Sequence, residues 1–562
     1  MAGVLTLLAF LAPVKFGNPA LSHLFVSLPG TGWEWVVFSW PVPILVLLAF
    51  AGLGWMGWGG GMQAGVVPVL ALVFLLSQMV GLPASICWQT SADTVLHFAV
   101  CVLVLLAAQR VGREEWAVRW VLGGLAAATV VVVAVTAEQY FGGLEATRQM
   151  ALRQYAAGTI PEGVMRKLEG GRVFGTLVNP NMLAGFLVVA FAPVLAWVWR
   201  MWGQRVPVVA VGAALLWCLW LTGSRGGWLA WGVMAGVWVW LGVRESRQRA
   251  LALAGVGVAA ILAVGLLARG WSSMEARVDC WRAAVAIIGE HPWLGTGPGT
   301  FGSIYPMHKL LPVAEEAQLA HNSLLQVWSD TGVVALLLFV ALWVAGLAQG
   351  VRLARREADN VISAALVAGV SGWLAHGMLD FGLHVPGVTL PAFLFLGLMT
   401  ANGTGAVVCA TERPRRAQRV VGLLMVGLAL FWAGRMLVAN GRATAGDWVG
   451  AVRLAPRNAQ YWSDLGRTYL RGGDANTAVV AFRQAARWDR YRAVYQWELA
   501  QALMARDQGV TTEMVQALRE AVRLYPGKAS FRESLAGAEK ILRQSGGESG
   551  RVLPDQGGVT SQ

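Results

Sequence analysis

The chain of 562 residues is long enough for more than one domain. It is 56% apolar and only 13% charged, against roughly 25% charged in a soluble globular protein, which excludes an ordinary soluble enzyme over most of its length. The formal net charge of +13 would suggest nucleic acid in a soluble protein. Here the arginines fall mostly in short loops between apolar runs, so membrane topology accounts for them and no nucleic-acid partner is expected.

The opening run, AGVLTLLAFLAPVKFG, lacks a basic leader region and a small-residue cleavage site, and reads as a retained first membrane helix. Apolar segments follow at about 35–54, 64–80, 93–109 and 118–137, then 181–199, 206–221, 226–242 and 250–267, and finally 331–349, 361–379, 387–408 and 420–439. At about 20 residues each they suffice to cross a ~30 Å hydrocarbon layer as helices. The expected fold is all-α and polytopic, with roughly 12–14 membrane helices over residues 1–440. Trp33, Trp35 and Trp40, and again Trp197, Trp199 and Trp202, cluster near predicted helix ends, where an indole sits at headgroup level. Gly and Pro inside these runs are tolerable because neighbouring membrane helices satisfy displaced backbone groups. The five cysteines (Cys87, Cys101, Cys218, Cys280 and Cys409) form no CxxC pair, so neither a zinc site nor a disulfide framework is indicated.

The loops orient the segments. Arg110, Arg113 and Arg119 form one cluster, Arg200 and Arg205 a second, and Arg244, Arg247 and Arg249 a third. Arg352, Arg355 and Arg356, then Arg413, Arg415, Arg416 and Arg419, complete the series. All five fall on one side if the spans alternate, and the positive-inside rule makes that side cytoplasmic. The expected topology has the N-terminus in the cytoplasm, with loops 138–180 and 268–330 and everything after 440 facing outward.

After about Gly441 the sequence turns soluble and helical. WSDLGRTYLRGGDANTAVVAFRQAARWDR places Trp462, Leu465, Gly466, Tyr469, Ala478, Phe482 and Ala485 at the spacing of a tetratricopeptide unit. The echoes APRN and YPGK extend this to two or three units over 441–542, a generic surface for a protein partner. Residues 543–562 have little to bury and are expected to be disordered.

The polar stretch from Trp271 to Asp330 interrupts the apolar pattern and carries much of the candidate chemistry. Arg225, in LTGSRGGWLAW, lies between two spans on the outward side, where topology does not ask for positive charge, and reads as an anion-binding residue. Arg277 and Arg282 lie on an amphipathic helix over about 274–289 but point to different faces, and Asp279 is a possible partner for Arg282. Gly295, Gly297 and Gly299 permit a close turn whose N–H groups could face an anion, without the lysine ending of a P-loop. His321 has the chemistry to take a proton from a hydroxyl, and Asn322 to cap the next helix or orient a substrate. Asp380, flanked by His376 and His384, lies near the same outer face. Asn179 and Asn181 begin a helix from outside, with Arg172 just upstream as a further cation. Neither an HExxH nor a DxD signature is present, so no metal or other cofactor is expected.

GRVFGTLVNPNMLAGFL, LTGSRGGWLA, RVDCWRAAVAIIGEHPWLGTGPGTF, AHNSLLQVWSDTG and HGMLDFGLHVPG occur in this order across about 170–400. In this order they resemble the O-antigen ligase and polymerase superfamily of bacterial envelope glycosyltransferases, the group sharing the Wzy_C region. The tetratricopeptide tail resembles a subgroup of that family and departs from lipopolysaccharide ligases that end soon after the last span. The resemblance implies a GT-C-like membrane fold in the bacterial inner membrane, active on the periplasmic side, with a glycan on undecaprenyl diphosphate as donor. It implies catalytic roles for Arg225, Arg277 and His321. Arg172, Asn179, Asn181, Arg282, Asn322 and Asp380 are candidates for substrate binding. A polysaccharide polymerase and a protein O-oligosaccharyltransferase are alternatives within the same chemistry, and a membrane transporter one outside it.

Overall fold

The computed structural model describes residues 1–562 other than 22–27, 30, 55–64, 157–169, 244, 267–271, 311–316, 357–360, 402–415 and 545–562. Arg244, Arg413, Arg415, Cys409 and most of the expected disordered tail therefore lie outside the described residues. Every named element is a helix. The first seven are α1 (Ala2–Lys15), α2 (Gly32–Val37), α3 (Val42–Ala49), α4 (Val66–Val80), α5 (Trp88–Val111), α6 (Glu115–Glu138) and α7 (Leu144–Ala156). Then come α8 (Pro180–Trp202), α9 (Arg205–Leu221), α10 (Arg225–Gly242), α11 (Ser246–Leu266), α12 (Ser272–Glu290) and α13 (Phe301–His308). The bundle closes with α14 (Ser323–Arg356), α15 (Val361–Gly377), α16 (Pro386–Thr400) and α17 (Arg416–Thr444).

Each apolar segment read from the sequence overlaps a helix, with 402–408 of the segment expected at 387–408 outside the described residues. Among the described residues, six helices are long and apolar enough to cross a membrane: Trp88–Val111, Glu115–Gln149, Pro180–Trp202, Ser246–Leu266, Ser323–Arg356 and Gly422–Thr444. Six shorter apolar helices accompany them, of which Val42–Gly54 ends in a π turn at Phe50–Gly54. The segment expected at 35–54 is broken because Pro41 and Pro43 bracket the start of α3, and α2 stops before them. The polytopic, all-helical architecture expected from composition is thus present.

The helix at the centre is α8, which is buried along nearly all its length. Close approach depends on small residues, as lipid-soluble helices require. A Cβ on Gly372 of α15 would lie 2.7 Å from Met234 of α10 and 2.7 Å from Val188 of α8. One on Gly227 of α10 would lie 2.7 Å from Ala184.

Polar contacts sort the helix ends into two groups. At one end Gln109 donates to Thr400 at 2.8 Å, Arg113 to the Ala401 carbonyl at 3.4 Å and the Trp197 indole to the Arg119 carbonyl at 2.9 Å. Arg355 lies 4.3 Å over the Trp240 ring at the same end. Four of the five arginine clusters are represented here by described residues, through these contacts and the adjoining helix termini. At the other end Thr176 donates to the Pro13 carbonyl at 2.6 Å and the Gly387 amide to the Phe16 carbonyl at 2.8 Å.

The tail forms antiparallel helices α18 (Trp448–Leu454), α19 (Ala459–Arg471), α20 (Ala475–Trp488), α21 (Ala493–Asp507), α22 (Thr512–Leu524) and α23 (Ala529–Gln544). Asp447, Asn458, Asp474 and Thr511 each accept a backbone N–H at a helix start. Gly466 lets α19 lie against Phe482 of α20, where a Cβ would meet the ring at 2.8 Å. The array docks on the end of the bundle opposite the arginines. Ser303 donates to Asp489 at 2.9 Å, Lys309 to the Tyr525 hydroxyl at 3.3 Å, and Cys87 and Asp489 form a backbone bridge.

Candidate functional site

The site is built on a short non-helical corner. The α15 helix ends at Gly377, and the chain turns through Met378, Leu379 and Asp380. The carbonyls freed by this turn accept side chains from two other elements. Asn322 donates to the Met378 carbonyl at 3.0 Å, and Arg277 Nε to the Leu379 carbonyl at 2.8 Å. Asn322 also caps α14, its Oδ1 accepting the amides of Leu324 and Leu325 at 3.0 Å each. The capping role expected for it is met, and the same side chain ties α14 to the turn at Met378.

Asp380 is 1% exposed. Arg277 Nη2 lies 3.1 Å from its Oδ2, His321 Nδ1 lies 3.3 Å from its Oδ1, and the Phe381 amide donates to Oδ1 at 3.0 Å. Burial alone would raise the Asp380 carboxyl. Proximity to His321 outweighs it together with the charges on Arg277 and His376, and the group is held well below the usual carboxylate range. Asp380 thus remains an anion between a guanidinium and an imidazole. The His321–Asp380 approach is a close charge contact rather than an aligned hydrogen bond. It favours the tautomer with a proton on Nδ1, which leaves Nε2 as the basic nitrogen.

His321 is held hard. Its backbone adopts φ 53°, a conformation uncommon for a residue with a side chain. The Trp281 indole donates to its carbonyl at 3.3 Å, and its ring meets Phe381 edge-on at 4.9 Å between centroids. Trp281 is a site residue that sequence reasoning did not single out. Its spacing of four from Arg277 on α12 carried the signal, since such residues share a helix face.

A second cationic group adjoins the first. Arg172 Nε donates to the Thr222 carbonyl at 2.6 Å and Nη2 to Asn181 Oδ1 at 2.7 Å. Asn179 caps α8 by accepting the Asn181 amide at 2.8 Å, with Pro180 in the first turn. Asn179 thus takes the capping role expected of one asparagine, while Asn181 accepts from Arg172, a contact the spacing did not suggest. Arg225 opens α10, which Ser224 caps by accepting the Gly227 amide at 3.1 Å. Arg225 is half-buried. A Cβ on its neighbour Gly226 would lie 3.5 Å from Leu379, so the turn bearing Arg225 packs on the corner that Arg277 grips. Arg172, Arg225, Arg277 and His321 therefore share one end of the bundle, the end opposite the arginine-rich loops.

Two pairings suggested by local spacing need correction. Arg282 is exposed, on a face of α12 away from the Asp380 corner. Asp279 is not its partner: it is 3% exposed and accepts the Tyr305 hydroxyl at 2.7 Å and the Leu310 amide at 3.0 Å. The glycine turn presents its amides inward: Gly295 and Gly297 donate to the backbone carbonyls of His291 and Asp330, and Gly299 to the Asp330 carboxyl group. Asp330 accepts from Gly299 at 2.9 Å, from Phe301 at 3.2 Å and from Gln326 at 2.6 Å. Positive φ at Gly295, Gly297 and Gly299 serves that close turn.

Residues 210–340 match the family described as O-antigen ligase, Wzy_C. The chain is also 32% identical over 203 residues to the O-antigen ligase of Pseudomonas aeruginosa. That match covers 36% of this chain and 41% of the relative's own length. The family interval contains Arg225, Arg277 and His321, while Arg172 and Asp380 lie on either side of it. Residues 210–340 thus carry a Wzy_C-like region, and the two matches support placement of the chain in the O-antigen ligase (Wzy_C) superfamily.

Proposed function

We propose that this protein is a lipid-diphosphate-dependent glycosyltransferase that moves a glycan from undecaprenyl diphosphate to an acceptor hydroxyl. One observation carries the reading. Arg277 and His321 are brought to opposite oxygens of one buried carboxylate, at the end of the bundle where Arg172 and Arg225 also lie. The acceptor oxygen attacks the anomeric carbon as the bond to the diphosphate oxygen breaks, and undecaprenyl diphosphate leaves with the bonding electrons. Guanidinium groups at Arg225 and Arg277, with Arg172 beside them, offset the charge growing on that oxygen. His321 takes the hydroxyl proton on Nε2, and Asp380 holds the imidazole and offsets its new charge. No step calls for a bound cofactor.

The positive-inside rule assigns the arginine-rich end to the cytoplasm, so the site and the helical tail face the periplasm of an inner-membrane protein. We attribute a GT-C-like arrangement to the bundle over 1–440, with the ligase-like region at 170–400, and tetratricopeptide character to 441–542. A transporter reading would be favoured by ionisable residues at the midplane of broken helices, whereas these cations gather at helix ends. Incubating the purified protein with lipid-linked oligosaccharide and following its consumption tests the proposal. An intact donor in the presence of acceptor would refute it. A product that stays on undecaprenyl diphosphate identifies a polymerase, and one on another lipid or a protein identifies a ligase or a protein O-oligosaccharyltransferase.

A further inference from the structure

The Asp279–Tyr305 pair lies outside the group of residues assigned to glycan transfer, yet it joins that group to the helical tail. Asp279 sits two residues after Arg277 on the same helix and is almost wholly buried. Its two oxygens are taken separately, Oδ2 by the Tyr305 hydroxyl at 2.7 Å and Oδ1 by the Leu310 amide at 3.0 Å. Tyr305 lies on α13, and Leu310 two residues beyond its end. The α13 helix is in turn gripped by the tail: Ser303 by Asp489 at 2.9 Å, and the following Lys309 by Tyr525 at 3.3 Å. Tyr491 of the tail packs on the cluster of Cys280, Ala284, Phe301 and Tyr305, and Met307 packs into the tail's own cluster with Ala493 and Phe531.

A helix as short as α13, eight residues, is marginal without tertiary support. It is wedged between α12 and the tail and makes specific polar contacts with both. A buried aspartate has its remaining accepting capacity wasted if either donor moves, so its position is coupled to theirs. The guanidinium two residues earlier must meet a carbonyl and a carboxylate together, at 2.8 Å and 3.1 Å. That double contact leaves little room for α12 to rotate or slide.

We infer that Asp279 and Tyr305 are positioning residues for Arg277, and that the helical tail, through Asp489 on Ser303, is a structural part of the transfer site as well as a docking surface. The inference rests on the glycosyltransferase reading above. Whatever loads or displaces the tail is transmitted to the arginine that meets the diphosphate, through one short helix and one buried carboxylate.

The test uses lipid-linked oligosaccharide and the full-length protein in five forms: wild type, Tyr305→Phe, Asp489→Asn, Arg277→Lys and the double variant carrying both Tyr305→Phe and Arg277→Lys. Tyr305→Phe keeps the ring and removes only the hydroxyl. The expected result is a five- to twentyfold fall in kcat with the donor KM changed less than twofold. A smaller fall of the same kind is expected for Asp489→Asn, and Tyr305→Phe should add nothing to Arg277→Lys. Full wild-type kcat in both Tyr305→Phe and Asp489→Asn, or a further fivefold loss when Tyr305→Phe is added to Arg277→Lys, overturns the inference. A loss of thermal stability with kcat retained overturns it equally, because that is the mark of a purely structural contact. An inactive wild type would instead count against the glycosyltransferase reading, so the two failures are distinct.

Discussion

Arg277 and Asp380 are 103 positions apart in sequence and meet at 3.1 Å, one on the amphipathic helix α12 and the other on the turn after α15. The arginine side chain is 16% exposed and the carboxylate 2%. Two charges this far out of water are stable only if each has hydrogen bonds beyond their mutual one. Asp380 finds His321 and the Phe381 amide, and Arg277 finds the Leu379 carbonyl. Neither partner is replaceable by a mere change of charge.

Removing the arginine leaves a buried carboxylate with an inadequate set of partners. Arg277→Ala is expected to cost about 3–5 kcal/mol of stability, the range for breaking a buried pair from one side, and to abolish transfer. Arg277→Lys keeps the charge, loses the two-pronged grip and should be less destabilised yet still strongly impaired. Thermal unfolding in detergent alongside initial rates of donor consumption checks both.

The same pair sets a dependence on acid. The folded-state carboxyl of Asp380 titrates below its ordinary value of 3.8. Its contribution to stability is therefore fully present above the usual carboxylate range and is lost as pH falls through the depressed folded value. Unfolding followed from neutral pH downward should show this loss in the wild type. Asp380→Asn should be less stable at neutral pH and lose less of its remaining stability on acidification.

Proton removal from the acceptor is expected to depend on His321. His321→Ala should lower the transfer rate by about 10²–10⁴-fold, the usual worth of general base catalysis, with the protein still folded in the membrane. Asp380→Asn should also lower it, by less, because the imidazole survives without its orienting anion. Single-turnover rates with saturating donor separate these from weakened binding.

Much of this corner was legible in the sequence because chemistry-bearing residues stand out against an apolar background. Arg225, Arg277, His321 and Asp380 each interrupt or border an apolar run, where a charge has to be accounted for. What the sequence did not carry was who meets whom. Nothing in the spacing of Arg277 and Asp380 signals a contact across 103 positions. Local spacing misled for Asp279 and Arg282, three apart and plausible as a surface pair, because α13 supplies a tyrosine hydroxyl that draws Asp279 inward. The glycine turn misled for a related reason. One of its amides, that of Gly299, does meet a carboxyl group, but it is the protein's own Asp330, 31 positions further on.

The contrast between Arg282 and Asp330 is testable. Arg282→Ala, on an exposed face of α12, is expected to change stability by no more than about 0.5 kcal/mol and to leave transfer within twofold of wild type. Asp330→Ala strands the Gly299 and Phe301 amides and the Gln326 amide group. At about 1–3 kcal/mol for each buried group left without a partner, it should be among the most destabilising single changes in the bundle. Expression yield and melting temperature of the two variants, compared side by side, decide the matter.

The proposed sidedness rests on the arginine clusters and the tail lying at opposite ends of the bundle, and it can be tested chemically. The described native cysteines, Cys87, Cys101, Cys218 and Cys280, are all buried, so a Cys409→Ser background should be nearly silent to a bulky maleimide. Asn476 in the tail and Gln204 between α8 and α9 are both exposed. In cells with a permeabilised outer membrane, a membrane-impermeant maleimide is expected to label Asn476→Cys at once. Gln204→Cys should label only after the inner membrane is broken, because the proposed topology keeps the neighbouring Arg200 and Arg205 on the cytoplasmic side. The reverse pattern would put Arg277 and His321 in the cytoplasm with the tail that rests beside them. The glycan donor would then have to be used before it crossed the membrane, and the periplasmic reaction proposed here would be excluded.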